Sequence, residues 1–193
     1  NQGQICLSGS NIFIHYKIYN QFKKDFIQRT KELVVGDPFD MATDVGCVVS
    51  KEHKSKILSY IKIAEKEGRV LLGKENLDEK EIAKDDCLVK PTIVENISLT
   101  SRVCVDEIFG PVVALHSFKN ESSLLKSINS SKYGLASVVW TSNISRAHSL
   151  AEKINCGLVW INCWMVRDLR TPFGGNKDSG YGREGGDEAI NFY

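Results

Sequence analysis

The chain opens on a lone thiol set between glycines, in Asn1-Gln2-Gly3-Gln4-Ile5-Cys6-Leu7-Ser8-Gly9-Ser10. Flexible, backbone-exposing surroundings let such a thiol reach a substrate carbonyl, which makes Cys6 a candidate nucleophile; the competing reading is a small buried hydrophobe. A second stretch, Asp106-Glu107-Ile108-Phe109-Gly110-Pro111, puts an acidic and an aromatic side chain on a Gly-Pro turn just before an apolar run. It reads either as a plain surface turn or as a carboxylate placed for ribose hydroxyls with an aromatic face beside a flat ring. The third stretch, Trp160 to Gly186, carries Asn162, Arg167, Arg170 and Phe173 and then a dense set of glycines. That density implies tight turns or close approach of one backbone to another.

These stretches need elements to hold them. Asn11 to His15 has the β-branched and aromatic content of a buried strand, and Ile18, Phe22, Phe26 and Thr30, with Leu33 after them, form a helical stripe that Gly36-Asp37-Pro38 should stop. A second helix is expected after Ser50, whose hydroxyl can cap the amide of His53, with Ile57, Tyr60, Ile61 and Ala64 inward and a stop at Gly68. Arg69 to Leu72 reads as a strand, residues 73–86 as a charged surface excursion, and Leu88 to Val94 as a strand whose Pro91 points to an edge or an irregular end. Val112 to Phe118, Leu135 to Thr141 and Gly157 to Ile161 read as strands, with helices over Ser122 to Ile128 and Ser145 to Ile154. Strands alternating with helices predict an α/β fold with a largely parallel sheet flanked by helices, organised as one main domain.

With 42% hydrophobic and 25% charged residues and a net charge of +1, the composition gives no electrostatic case for nucleic acid or an anionic membrane. No apolar run approaches the roughly 20 residues that span a bilayer. Six cysteines without CxxC spacing or a histidine pattern suggest neither a metal site nor a disulfide framework, and point to a reducing compartment, the cytoplasm.

Taken in order, the three stretches resemble the aldehyde dehydrogenase superfamily. Asn1-Gln2-Gly3-Gln4-x-Cys6 is similar to its nucleophile motif, Glu107-x-Phe109-Gly110-Pro111 to its cofactor-contacting motif, and Pro172-Phe173-Gly174-Gly175-x-Lys177-x-Ser179-Gly180-x-Gly182-Arg183-Glu184-Gly185-Gly186 to its C-terminal signature. The resemblance implies the superfamily's catalytic-domain fold and an NAD-dependent oxidation, NADP not being excluded, in which Cys6 attacks an aldehyde and passes through a thiohemiacetal and a thioester. It implies that the Cys6 amide is one oxyanion donor, that Glu107 binds the nicotinamide ribose and that Phe109 packs by the nicotinamide. Asn162 would brace the nucleophile loop at the substrate site, and Phe173 would line the aldehyde pocket.

Trp160 to Trp164 and Val166 to Phe173 most resemble the 2-aminomuconic and 2-hydroxymuconic semialdehyde dehydrogenases of that superfamily. Their substrates carry carboxylates, which nominates Arg167 first and Arg170 second as carboxylate ligands; the competing role for either is pairing with Asp168. The superfamily's dinucleotide-binding domain, general base, second oxyanion donor and final oligomerisation strand have no counterpart in these residues. The expectation is therefore a truncated catalytic domain, inactive alone, from an enzyme that forms homo-oligomers at full length. The alternatives are an interaction module pairing with full-length subunits, and a relative acting on neutral aldehydes.

Overall fold

The computed structural model describes residues 1–82 and 86–193. The chain is organised as two compact units, Asn1–Lys119 and Asn120–Tyr193. In the first, β1 (Asn11–His15) and α1 (Tyr19–Lys31) are followed by α2 (Lys51–Glu67), β2 (Arg69–Leu72), the one-turn α3 (Glu79–Ile82), β3 (Thr92–Glu95), the one-turn α4 (Arg102–Val105) and β4 (Val112–Phe118). Their sheet has the order β1-β4-β3-β2, with β4 parallel to β1 and β3 and β2 antiparallel at one edge.

Period-two alternation sorts the sheet's side chains between two cores. Val94, Val112 and Ala114 face α2 residues Ile57, Ile61 and Ala64, while Ile93, Val113 and Leu115 join Phe22, Phe26 and Ile27 of α1. Burial of each large aliphatic side chain contributes about 1.5–3 kcal/mol, so α2 is anchored along its inner stripe. Its start follows from sequence, since Ser50 Oγ accepts from His53 N at 3.1 Å, and its end falls at Gly68 as expected.

Other expectations shift. α1 ends at Lys31, short of Gly36, because Val34 and Val35 leave the helix to bond with the 44–45 backbone: Val34 O accepts from Asp44 N and Val45 N, and Val35 bridges Val45. β3 starts only after Pro91 and lies inside the sheet with all four residues buried, so Pro91 marks an irregular entry and not an edge. The charged segment is no simple excursion: a 3-10 turn (Lys74–Leu77) and α3 occupy it, and Asn76 is buried in bonds to Gly73, Lys90 and Thr92. Residues 83–85 of that segment lie outside the described residues.

The second unit runs through α5 (Glu121–Asn129), β5 (Tyr133–Gly134), β6 (Ala136–Val139), α6 (Ile144–Ala151), β7 (Leu158–Ile161), β8 (Asn176–Lys177) and α7 (Gly186–Phe192). β6 and β7 pair in parallel, and β5 pairs antiparallel with β8. Asn120 and Asn143 cap the two longer helices through their side-chain oxygens. The glycine-rich run packs backbone on backbone, for a Cβ on Gly157 would overlap the Gly174 carbonyl. Arg183 locks this run by donating to Gly175 O at 2.6 Å, Gly182 O at 3.0 Å and Asn176 Oδ1 at 2.8 Å. Among the described residues, no helix is long and apolar enough to cross a membrane.

Candidate active site

Cys6 sits on a turn closed by Ser8 N donating to Ile5 O at 3.0 Å, with Leu7 buried beneath it and its own side chain exposed. The Cys6 amide donates to no protein acceptor among the described residues, as an oxyanion donor requires. The loop ahead of it is pinned from the side: Gln2 Nε2 donates to Cys47 O, and Gln4 Oε1 accepts from Val49 N at 2.9 Å. Gly3, at φ +79°, meets Gly110 so closely that an added Cβ would overlap the Gly110 carbonyl. Here a missing side chain is the requirement, because the two candidate motifs touch backbone to backbone.

The Glu107 to Gly110 segment follows α4. Phe109 holds φ +60°, a left-handed conformation that costs a residue with a Cβ about 1–2 kcal/mol. The residue remains 36% exposed. Glu107 is exposed, and its carboxylate enters no hydrogen bond or ion pair among the described residues. Both side chains are therefore presented outward from a fixed backbone. Three residues that hold that backbone escaped the sequence reading: His53 Nε2 donates to Phe109 O at 2.6 Å, Lys56 Nζ to Glu107 O at 3.1 Å, and Tyr60 Oη to Asp106 Oδ2 at 3.0 Å. The available signal was their i, i+3, i+7 spacing on one face of α2.

In the second unit, the backbone of β7 and the segment after it enclose a groove of about 300 Å³, with Trp160, Val166, Arg167, Thr171 and Phe173 in its lining. Arg167 lies over the Phe173 ring, 4.4 Å from its centroid, and its guanidinium has no carboxylate partner among the described residues. Trp160 Nε1 donates to Val166 O at 2.9 Å, which ties this segment to β7. Arg170 is committed elsewhere: its Nε and a terminal nitrogen grip the Asp168 carboxylate at 2.9 and 2.6 Å. Those hydrogen bonds hold the Asp168 carboxyl below its ordinary range and push Arg170 up. Asn162, at φ +54°, spends both polar side-chain atoms on Thr141, accepting from its N and donating to its O at 2.9 Å each. Its bracing therefore acts on the turn after β6.

All six cysteines are free thiols. Cys104 is half-buried, and burial pushes its thiol up to about 11, which leaves it protonated and unreactive at neutral pH. Among the described residues, no cluster of three or more His, Cys, Asp or Glu is arranged to hold a metal.

The family model described as "Aldehyde dehydrogenase family" matches residues 1–193. Human 2-aminomuconic semialdehyde dehydrogenase is 41% identical over 196 residues, covering 100% of this chain and 40% of the relative's length. The 2-hydroxymuconic semialdehyde dehydrogenase of Pseudomonas sp. strain CF600 is 38% identical over 195 residues, again covering 100% of this chain and 40% of the relative. Betaine aldehyde dehydrogenase from Staphylococcus aureus, solved in complex with NAD+, superposes with a TM-score of 0.92 at 36% identity, covering 100% of this chain and 38% of that structure. The chain thus spans about two fifths of the length of the curated relatives it matches. With a family match over residues 1–193, and the loop that carries exposed Cys6 seated through Gly3 on the Gly110 backbone, the chain belongs to the aldehyde dehydrogenase family.

Proposed function

We propose that this chain carries the nucleophile, one face of the nicotinamide site and the substrate-recognition segment of an NAD-dependent aldehyde dehydrogenase that oxidises a carboxylated semialdehyde, such as 2-aminomuconic semialdehyde, to the acid. The observation that carries it is the seat of the Cys6 loop, through Gly3, on the turn bearing Glu107 and Phe109. In the first step the Cys6 thiolate attacks the carbonyl carbon, a C–S bond forms and the carbonyl pair moves to oxygen, where the Cys6 amide donates to the oxyanion. NAD, when bound, supplies the hydride acceptor. What remains on Cys6 is a thioester, and water hydrolyses it to release the acid and restore the thiol.

The residues present fit the cofactor. The unpartnered Glu107 carboxylate suits vicinal ribose hydroxyls, and the outward Phe109 ring suits a flat nicotinamide. The NAD+ complex of the Staphylococcus aureus relative supports NAD as the cofactor. Arg167, with its guanidinium over the Phe173 ring and no carboxylate partner among the described residues, supplies a guanidinium fork for the substrate carboxylate and an apolar wall beside it. Arg170, already paired with Asp168, stands second. Asn162 supports the far end of β7 through Thr141. The names of the muconic semialdehyde relatives support the substrate class.

We further infer that oxidation needs the rest of a protein of the relatives' length, assembled as a homo-oligomer, and that these 193 residues alone yield no NADH. The free cysteines support a reducing compartment such as the cytoplasm. The test uses the full-length enzyme. Arg167→Ala should raise KM for a carboxylated semialdehyde about 10- to 100-fold, the worth of a charge-assisted hydrogen-bonded pair, and leave KM for a neutral aldehyde within about twofold. Equal effects on both substrates favour the neutral-aldehyde reading.

A further inference from the structure

Glu107 and Phe109 lie between α4 and β4 on backbone that no helix or ladder supports, and Phe109 adopts a left-handed conformation there. Backbone of that kind persists only where its surroundings over-determine it. One face of α2 does so. His53, Lys56 and Tyr60 fall on one stripe, with Ile57 between them. The imidazole of His53 donates to Phe109 O at 2.6 Å and lies edge-on to the Phe109 ring, 6.4 Å between centroids at 67°. A turn further along, the Lys56 ammonium donates to Glu107 O at 3.1 Å. Tyr60 Oη donates to Asp106 Oδ2 at 3.0 Å, an oxygen that also accepts from Arg102 Nε at 2.9 Å.

Between these polar holds, Ile57 packs against Gly110 so tightly that a Cβ there would stand 2.5 Å from Ile57 Cδ1. Ile57 is itself fully buried, so the stripe is referenced to the core of the unit and not to solvent. Residues 106, 107, 109 and 110 are each met by one α2 side chain. None of these contacts uses the Glu107 carboxylate, and the Phe109 ring keeps an open face.

We propose that His53, Lys56 and Tyr60 are positioning residues: acting through the Phe109 and Glu107 carbonyls and the Asp106 carboxylate, they preset Glu107 and Phe109 for the nicotinamide riboside before it arrives. The proposal rests on the cofactor role given above to those two side chains. A preset turn spares the cofactor the cost of ordering it, so losing a hold weakens cofactor binding and leaves aldehyde binding alone.

The full-length enzyme tests this by NADH fluorescence titration and steady-state kinetics. His53→Leu removes the donor, and NADH Kd and KM for NAD should rise about three- to tenfold, the effect of one lost hydrogen bond, with KM for aldehyde changed less than about twofold. His53→Gln, which restores an N–H donor, should recover most of the loss. Lys56→Met, at an exposed position, should weaken NADH binding in the same direction and covers the case in which His53→Leu fails to fold. A parent enzyme that neither binds NADH nor oxidises aldehydes overturns the cofactor reading, and the purpose of the clamp with it. A parent that does both, with His53→Leu and Lys56→Met at parental Kd, or with His53→Gln as weak as His53→Leu, overturns the clamp alone.

Discussion

Replacing Gly3 with alanine separates the nucleophile loop from the Glu107 to Gly110 turn by a calculable amount. At φ +79° an L-residue carries about 1–2 kcal/mol of backbone strain. The new methyl would also overlap the Gly110 carbonyl and stand 3.1 Å from its Cα. Gly110 cannot retreat, because Ile57 backs it and Ile57 is fully buried, while His53 holds the adjacent Phe109 carbonyl. The loop carrying Cys6 must therefore give way by roughly 1 Å, and forced repacking of this kind costs about 1–3 kcal/mol.

Strain and overlap together predict a loss of about 2–5 kcal/mol, a large share of a stability of about 5–15 kcal/mol. Displacing a nucleophile by about 1 Å should also lower kcat/KM about 100-fold. The assay is urea unfolding beside steady-state kinetics on the full-length enzyme. Gly9→Ala is the internal control, since Gly9 lies in the same loop with nothing within 4 Å of an added Cβ, and it should stay within about 0.5 kcal/mol of the parent. Equal stability and equal kcat/KM for the two variants would show that the motifs do not bear on each other.

Asn76→Ala should cost about 1–3 kcal/mol in urea unfolding, because Lys90 N loses its acceptor while Gly73 O keeps the Asn76 N–H and Lys90 O keeps the Thr92 hydroxyl; a loss under about 0.5 kcal/mol would make the segment an ordinary solvated one. Burial works to raise the Glu95 carboxyl, but hydrogen bonds from Lys23 and Tyr19 and the charges of Lys23 and Arg69 outweigh it, so the net shift is downward. Its stabilising contribution is thus present above the ordinary carboxyl value of about 4.3 and lost as pH falls through the lowered one, and Glu95→Gln should flatten the urea midpoint over that acid range. At the alkaline end, burial and then the Glu95 hydrogen bond push Tyr19 up to about 12, so its contribution is complete below about pH 10 and disappears as pH approaches 12; ultraviolet absorbance should detect a tyrosine titrating in that window.

Periodicity made α2 legible, because its single buried face repeats in its residue pattern, whereas β1 and β4 were legible as short apolar runs, β4 being covered on both faces. α1 overran in the reading because its stripe continues into Leu33, whereas the chain's course there is decided by a pairing of Val35 with Val45 that no local pattern announces. The division at Lys119 and Asn120 carries no proline-rich or glycine-rich linker, so composition alone suggested one domain. Asn76 looked solvated because it sits among charges, and only the approach of Lys90 and Thr92 buries it. At the site, Cys6, Glu107, Phe109 and Phe173 were legible as motif members. The sequence ranks Arg167 above Arg170 and leaves pairing with Asp168 open to either; that Arg170 is the one so paired depends on the turn at Asp168.

The α2 holds were illegible for a more general reason. His53 and Lys56 bind carbonyl oxygens, which every residue possesses, so nothing in the sequence of the partner segment signals the contact. The proposed chemistry at a thiol and a nicotinamide would depend on placement within fractions of an ångström, and the Gly3 and Gly110 backbone between the two motifs is backed by buried Ile57. Carboxylate recognition makes a looser demand. In the role proposed for it, Arg167 would meet that demand from a long side chain on an irregular segment that the Trp160 hydrogen bond to Val166 ties to β7. On the proposed function, substitutions over residues 163–171 are expected to change which aldehyde is accepted, whereas changes at Gly3, Gly110 or the α2 stripe are expected to act on every substrate alike.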